Sequence, residues 1–193
     1  MRSCRGHVRH DAVRFRTVLR LLLLAVLTQL SACADSAADY RILFGESESR
    51  LSPDEMAAAF ALVKEGLTVS DDGLRLEDAN CGDMVPTSEI VDLNRDSIYE
   101  IFVEWGNTCT SGMSGRSLAL LVRDEAGGYR RELGFPAFGW TALGLGEDGW
   151  PDLSIGGPGF CHPVWARRAG SYDFKCNLPE SPDGCAVIGN ICQ

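Results

Sequence analysis

The chain has 193 residues and a formal net charge of −9, with 23% charged and 45% hydrophobic residues. That acidity favours solubility and argues against nucleic acid, and against a flat seat on anionic lipid. A basic protein or a divalent cation is the kind of partner such a surface attracts.

The first 32 residues read as a leader. Arg2, Arg5, Arg9, Arg14, Arg16 and Arg20 make a positive n-region, and Leu21 to Leu27 make an apolar run too short to span a bilayer. Leu30-Ser31-Ala32-Cys33 closes it. This tetrapeptide resembles a bacterial lipobox, in which the cysteine is lipidated and becomes the new N-terminus. The resemblance implies a lipoprotein with residues 1–32 as a cleaved signal peptide and acyl chains, palmitate among them, on Cys33. In that family an Asp after the cysteine retains the protein at the inner membrane. Ala34 stands there, which implies an outer-membrane, lipid-anchored protein on the periplasmic side. An ordinary cleaved signal peptide with an incidental Cys33 is the other reading. Without residues 1–32, 12 basic and 26 acidic side chains remain, a net charge of −14. Residues 33–193 suffice for one modest domain, not comfortably for two.

Residues 33–50, small and polar, read as a flexible tether ahead of a single β-rich domain over 51–193. Ser52 is the N-cap of a helix, with Pro53 in its first turn and Glu55 completing a capping box. Met56, Ala59, Phe60, Leu62 and Val63 supply an apolar stripe of the kind that enters a core, and Gly66 the stop. Leu67 to Val69 and Leu74 to Leu76 flank Ser70-Asp71-Asp72-Gly73 as a hairpin.

From Ile90 the sequence is β-like and repeats. Asp96-Ser97-Ile98-Tyr99-Glu100 precedes Ile101-Phe102-Val103, and Asp148-Gly149-Trp150-Pro151-Asp152 precedes Leu153-Ser154-Ile155, an offset of 52 residues. Each copy continues into a second apolar run and then turns at glycine onto Tyr129 or Tyr172. The copies cover about 90–133 and 142–176. Units of this kind resemble propeller blades, but a closed propeller needs about four of them, more than this chain supplies. The expected fold is therefore mainly β: small antiparallel sheets from two propeller-blade-like repeats, with one N-terminal helix and hairpin covering an open side, the whole disulfide-linked. Chance similarity of two turn-rich segments is the competing account of the repeat.

Cys4 falls in the leader, leaving Cys81, Cys109, Cys161, Cys176, Cys185 and Cys192 beyond Cys33. In an oxidising periplasm an even set predicts disulfide bonds throughout. The sequence does not choose among the pairings; neighbours in order, Cys81 to Cys109, Cys161 to Cys176 and Cys185 to Cys192, are the working expectation. Zinc is disfavoured, because there is no C-x-x-C pair and His162 is the sole histidine past the leader.

Asp92-Leu93-Asn94-Arg95-Asp96-Ser97-Ile98-Tyr99-Glu100 places oxygen side chains at alternate positions, the donor type that calcium takes. An EF-hand would require Glu where Val103 stands. The pattern instead resembles the calcium loops of FG-GAP or VCBS-type repeats, as in integrin-like propellers. That resemblance implies Asp92, Asn94, Asp96 and Glu100 as side-chain ligands and Ile98 as a main-chain ligand. Ser97 stands where the family prefers Gly, and Glu100 is longer than the usual Asp. The second copy has Gly144 and Gly146 where its first ligands should be, and reads as a metal-free relic. The alternative is an Asx-rich turn whose carboxylates accept local backbone N–H groups.

For catalysis the chain offers His162, placed between Cys161 and Pro163 like a turn residue, and carboxylates such as Glu100 with Glu104; no nucleophile-elbow, phosphate-loop or dinucleotide fingerprint occurs. Two loops instead have the character of binding surfaces on a rigid scaffold: polar, flexible Asn107 to Gly115, and Gly156 to Pro163 with Phe160. Trp105, Trp140, Trp150 and Trp165 are expected in the core. The function expected is a non-enzymatic protein-binding module, an inhibitor or immunity-type binder of a basic envelope-acting enzyme. The alternatives are a carboxylate-based hydrolase of envelope polymers and a purely structural envelope protein.

Overall fold

A computed structural model describes residues 39–45, 48–146 and 148–193. The expected signal peptide over residues 1–32 and the expected lipidation site Cys33 lie outside the described residues. Tyr40, Leu43 and Phe44 are buried on and beside a single helical turn, α1 (Arg41–Phe44). The tether expected over residues 33–50 is corrected at Tyr40, Leu43 and Phe44, which pack into the core. One turn is too short to display a periodicity, and the apolar run is masked by polar neighbours on both sides.

The second helix, α2 (Pro53–Val63), forms as its capping residues dictate. Ser52 Oγ accepts from the Glu55 amide at 3.3 Å while the Ser52 amide donates to Glu55 Oε2 at 2.6 Å. Met56, Ala59, Phe60 and Val63 are its buried face. The hairpin follows as β1 (Thr68–Val69) and β2 (Leu76–Asp78), extended by β3 (Gly82–Met84) into a three-stranded sheet.

The rest is two four-stranded antiparallel meanders in chain order. The first holds β4 (Thr87–Val91), β5 (Glu100–Trp105), β6 (Ser117–Arg123) and β7 (Tyr129–Pro136). The second holds β8 (Trp140–Leu145), β9 (Pro151–Ile155), β10 (Cys161–Arg168) and β11 (Ser171–Pro179). The two stretches read as copies each form a four-stranded antiparallel meander.

Period-two alternation makes the first meander the central layer. Ile101, Val103, Ala119 and Leu121 face the helices with Met56 and Phe60. Phe102, Leu118, Leu120 and Val122 face the second meander, meeting Leu153, Ile155 and Tyr172. The helices therefore cover one side of this sheet and the second meander covers the other.

Three disulfides close the structure among the described residues: Cys81–Cys109, Cys161–Cys185 and Cys176–Cys192. The first matches neighbour pairing; the other two correct it. On the β10–β11 ladder Cys176 lies opposite Val164 while Cys161 lies opposite Pro179. That offset of three residues is about 10 Å along a strand, beyond bridging range. The tail after β11 instead folds back, the Asn177 amide donating to Asn190 O at 2.7 Å and the Cys192 amide to Asn177 O at 2.9 Å. Cys192 is thereby brought to Cys176, and Cys185 to Cys161.

Candidate functional site

The acidic loop joins β4 to β5. Asp92 accepts from the amides of Asp96 and Ser97, both at 3.0 Å, and Asp96 accepts from the amide of Ile98 at 2.7 Å. Asn94 Oδ1 accepts from the Asp96 amide at 3.2 Å, and its Nδ2 donates to Asp96 Oδ2 at 2.8 Å. Arg95 and Ser97 both have positive φ, 65° and 67°, so the turn is made without the glycine that the resemblance prefers. Among the described residues no group of three His, Cys, Asp or Glu side chains could hold a metal ion as placed. The local N–H bonding is that of the Asx-rich turn.

Glu100 differs from its neighbours. It is only 1% exposed, and Oε2 accepts one hydrogen bond, from the Leu93 amide at 2.9 Å. Burial pushes its pKa up to about 7; the Leu93 amide pulls it down, the charges of Asp96 and Asp92 push it up, and Arg167 pulls it down. Fifty-two residues on, Asp152 pairs with Lys175 Nζ of β11 at 2.5 Å. Among the described residues no arginine or lysine forms an ion pair with Glu100. The loop thus offers oxygen donors only, and its one buried carboxylate has no basic side chain paired with it among the described residues.

A second feature lies on the second meander. A groove of about 580 Å³ is lined by Phe138, Trp140, Thr141, Phe160, His162 and Glu180, with glycines between them. Its two loops lock together, the Phe138 amide donating to Gly156 O at 3.2 Å and the Gly156 amide to Gly139 O at 3.0 Å. Only glycine fits at 156, because a Cβ there would sit 2.1 Å from Phe138 O. The Cys161–Cys185 bridge lies beside Phe160, which is 65% exposed. His162 is not a turn residue as expected. It lies in β10 opposite Leu178, and its Nε2 is 3.3 Å from Glu180 Oε2. The sequence reading finds Phe160 and misses Phe138, Thr141 and Glu180. The aromatic and glycine cluster of residues 135–140 is the signal that marks this wall.

Other expected features resolve differently. Asn107 to Gly115 is not a loose loop. It forms α3 (Thr108–Ser111) and a 3-10 turn, capped by Asn107 Oδ1 on the Cys109 and Thr110 amides at 2.9 and 3.1 Å. Asn107 Nδ2 also donates to Cys81 O at 2.8 Å, so this segment ties β3 to β5 beside their disulfide. Glu104 is not poised against Glu100. It accepts from the Gly139 amide at 3.0 Å and pairs with Arg116 at 3.4 Å. All four tryptophans are half-buried at the margins of the two cores. Trp165 packs on Phe135 and Phe174, and Arg167 lies 3.7 Å over the Trp150 ring.

No protein-family profile, no curated protein and no solved structure matches the chain.

Proposed function

We propose that this protein is a periplasm-facing lipoprotein, anchored in the outer membrane through Cys33, whose β domain binds a basic envelope protein without catalysing a reaction. The observation that carries the binding reading is the groove: exposed aromatic rings on loops held by a disulfide and a glycine-tight contact. Such a surface loses little ordering entropy on association, and aromatic anchors in a recess are the usual centre of an interface. The net charge of −14 on residues 33–193 favours a basic partner, through faster encounter and salt-sensitive affinity. An inhibitor or immunity-type binder of an envelope-acting enzyme fits that location and charge.

Calcium belongs to the same proposal as a stabiliser. Asp92, Asn94, Asp96, the Ile98 carbonyl and Glu100 would hold it, and its charge would relieve the buried Glu100 in the way that Lys175 relieves Asp152.

The test is capture from periplasmic extract at low salt with the acylated full chain as bait. A basic protein that is retained at low salt and released at high salt supports the reading, and its absence overturns it. A second reading, hydrolysis of an envelope polymer, draws on the His162–Glu180 pair in the groove. Turnover of peptidoglycan or glycan that is abolished by Glu180→Gln would favour it.

A further inference from the structure

The two meanders present equivalent first strands, and the chain treats their outer edges differently. Beside β4, Ser88 Oγ donates to Leu43 O of α1 at 2.6 Å, and Arg50 Nη1 donates to Ile90 O at 2.8 Å. Arg116 Nη2 closes the neighbouring Val85 O at 3.2 Å. The N-terminal segment thus covers that edge, and Glu89 adds a charge to it.

Among the described residues no comparable hydrogen bonds cover β8. It is the terminal strand of its sheet, and among the described residues no backbone or side-chain hydrogen bond reaches Trp140–Leu145 from its outer side. Its sequence, Trp-Thr-Ala-Leu-Gly-Leu, has no charge and no proline, the two residue types that usually blunt an edge. Leu143 and Leu145 are 45% and 55% exposed. The irregularity between Ala142 and Leu145, with Gly144 at φ 111°, confines the regular ladder to Trp140–Ala142. At that end the strand runs into the groove, since Trp140 and Thr141 line both.

The charges around the strand select its occupant. Asp92 and Asp96, with Arg95 between them in the acidic loop, and Asp148 lie toward the Leu145 end, where Asp92 and Arg95 line a cleft with Ala142 and Leu145. Glu180 lies toward the Trp140 end. An apolar strand between acidic ends complements an extended segment that is apolar in the middle and basic at its flanks. Two copies of a chain this acidic would repel, which disfavours a second copy at the same edge.

We propose that β8 is a docking edge that takes up an extended, basic segment of the partner protein as a fifth strand of the second sheet, and that the groove between Phe138 and Phe160 receives an apolar side chain of that segment. Main-chain hydrogen bonds supply affinity in this mode of recognition, and the groove supplies selectivity. The inference rests on the binding reading above and assigns its surface.

The probe is a synthetic peptide, acetyl-Lys-Lys-Val-Phe-Val-Lys-Lys-amide, added to the full chain. The expected result is slowed amide exchange across Trp140–Leu143, with affinity falling at least about tenfold when alternate peptide amides are N-methylated. Leu143→Lys, a change at an exposed position, should abolish binding, whereas Val187→Lys on the tail should not. No binding, equal binding of the N-methylated peptide, or protection elsewhere overturns the proposal. So does protection of β8 that rises with protein concentration and needs no peptide, which makes a second copy the occupant. In extract capture, a basic partner retained equally by wild type and Leu143→Lys sinks the edge assignment alone. A wild-type chain that retains nothing sinks the binding reading itself.

Discussion

The indole of Trp140 on β8 lies flat on the ring of Phe102 on β5, with centroids 3.8 Å apart and planes 11° from parallel. It joins the two meanders at their margin, so β8 is held to the core by one face while its edge stays open. Trp140→Ala should lower unfolding free energy by about 3–5 kcal/mol, and Trp140→Phe by much less. Denaturant titration read by far-UV dichroism checks both.

A second link between the meanders is polar. The Glu132 side chain, on β7, accepts from the Tyr172 amide of β11 at 2.7 Å and from Arg130, and it is 1% exposed. Glu132→Ala leaves the Tyr172 amide without its acceptor and removes the ion pair of Arg130, whose Nη2 still donates to Gly170 O at 3.0 Å, for an expected loss of about 1–3 kcal/mol. Glu132→Gln keeps the acceptor for Tyr172 and should lose distinctly less. Equal losses would assign the effect to charge alone.

Glu100 makes stability depend on pH in an unusual direction for a carboxylate. Its folded pKa is about 7, above the ordinary 4.5, so between those values the folded chain binds more protons than the unfolded one. In chelator, unfolding free energy should therefore fall by about 3 kcal/mol as pH rises through that window, and then level off. Glu100→Gln should remove the slope. Calcium should restore wild-type stability at pH 8 and leave the variant unmoved. Wild-type midpoints that coincide with and without calcium, in metal-stripped protein, would end the calcium proposal.

Non-reducing peptide mapping should recover Cys161 linked to Cys185 and Cys176 linked to Cys192. Replacing Cys81 and Cys109 together by Ala opens the longest loop, 28 residues. The expected cost is about 3–4 kcal/mol on the chain-entropy account. A loss under about 1 kcal/mol would mean that the Asn107 cap alone holds this segment.

Gly156→Ala brings a methyl group against Phe138 O and must part the two loops of the groove. A loss of about 1–3 kcal/mol is expected, with a shift in Trp140 fluorescence. Retained peptide binding in this variant would show that the groove adds nothing to the edge.

The sequence by itself determined the features whose causes are local. Ser52, Pro53 and Glu55 define where α2 starts because capping involves only adjacent residues. Turn residues and alternating apolar positions define the strands of the two four-stranded meanders. The residues of the acidic loop are legible for the same reason. What only the tertiary structure decided is which distant groups meet. Cys185 pairs with Cys161 because the tail folds back over β11, and no spacing encodes that return. The buried turn of α1, the stack of Trp140 on Phe102 and the isolation of Glu100 each require a second layer to lie where it does. Above all, β4 and β8 each open a meander, and the packing of the N-terminal segment covers the edge of the first, while among the described residues no hydrogen bond closes the edge of the second.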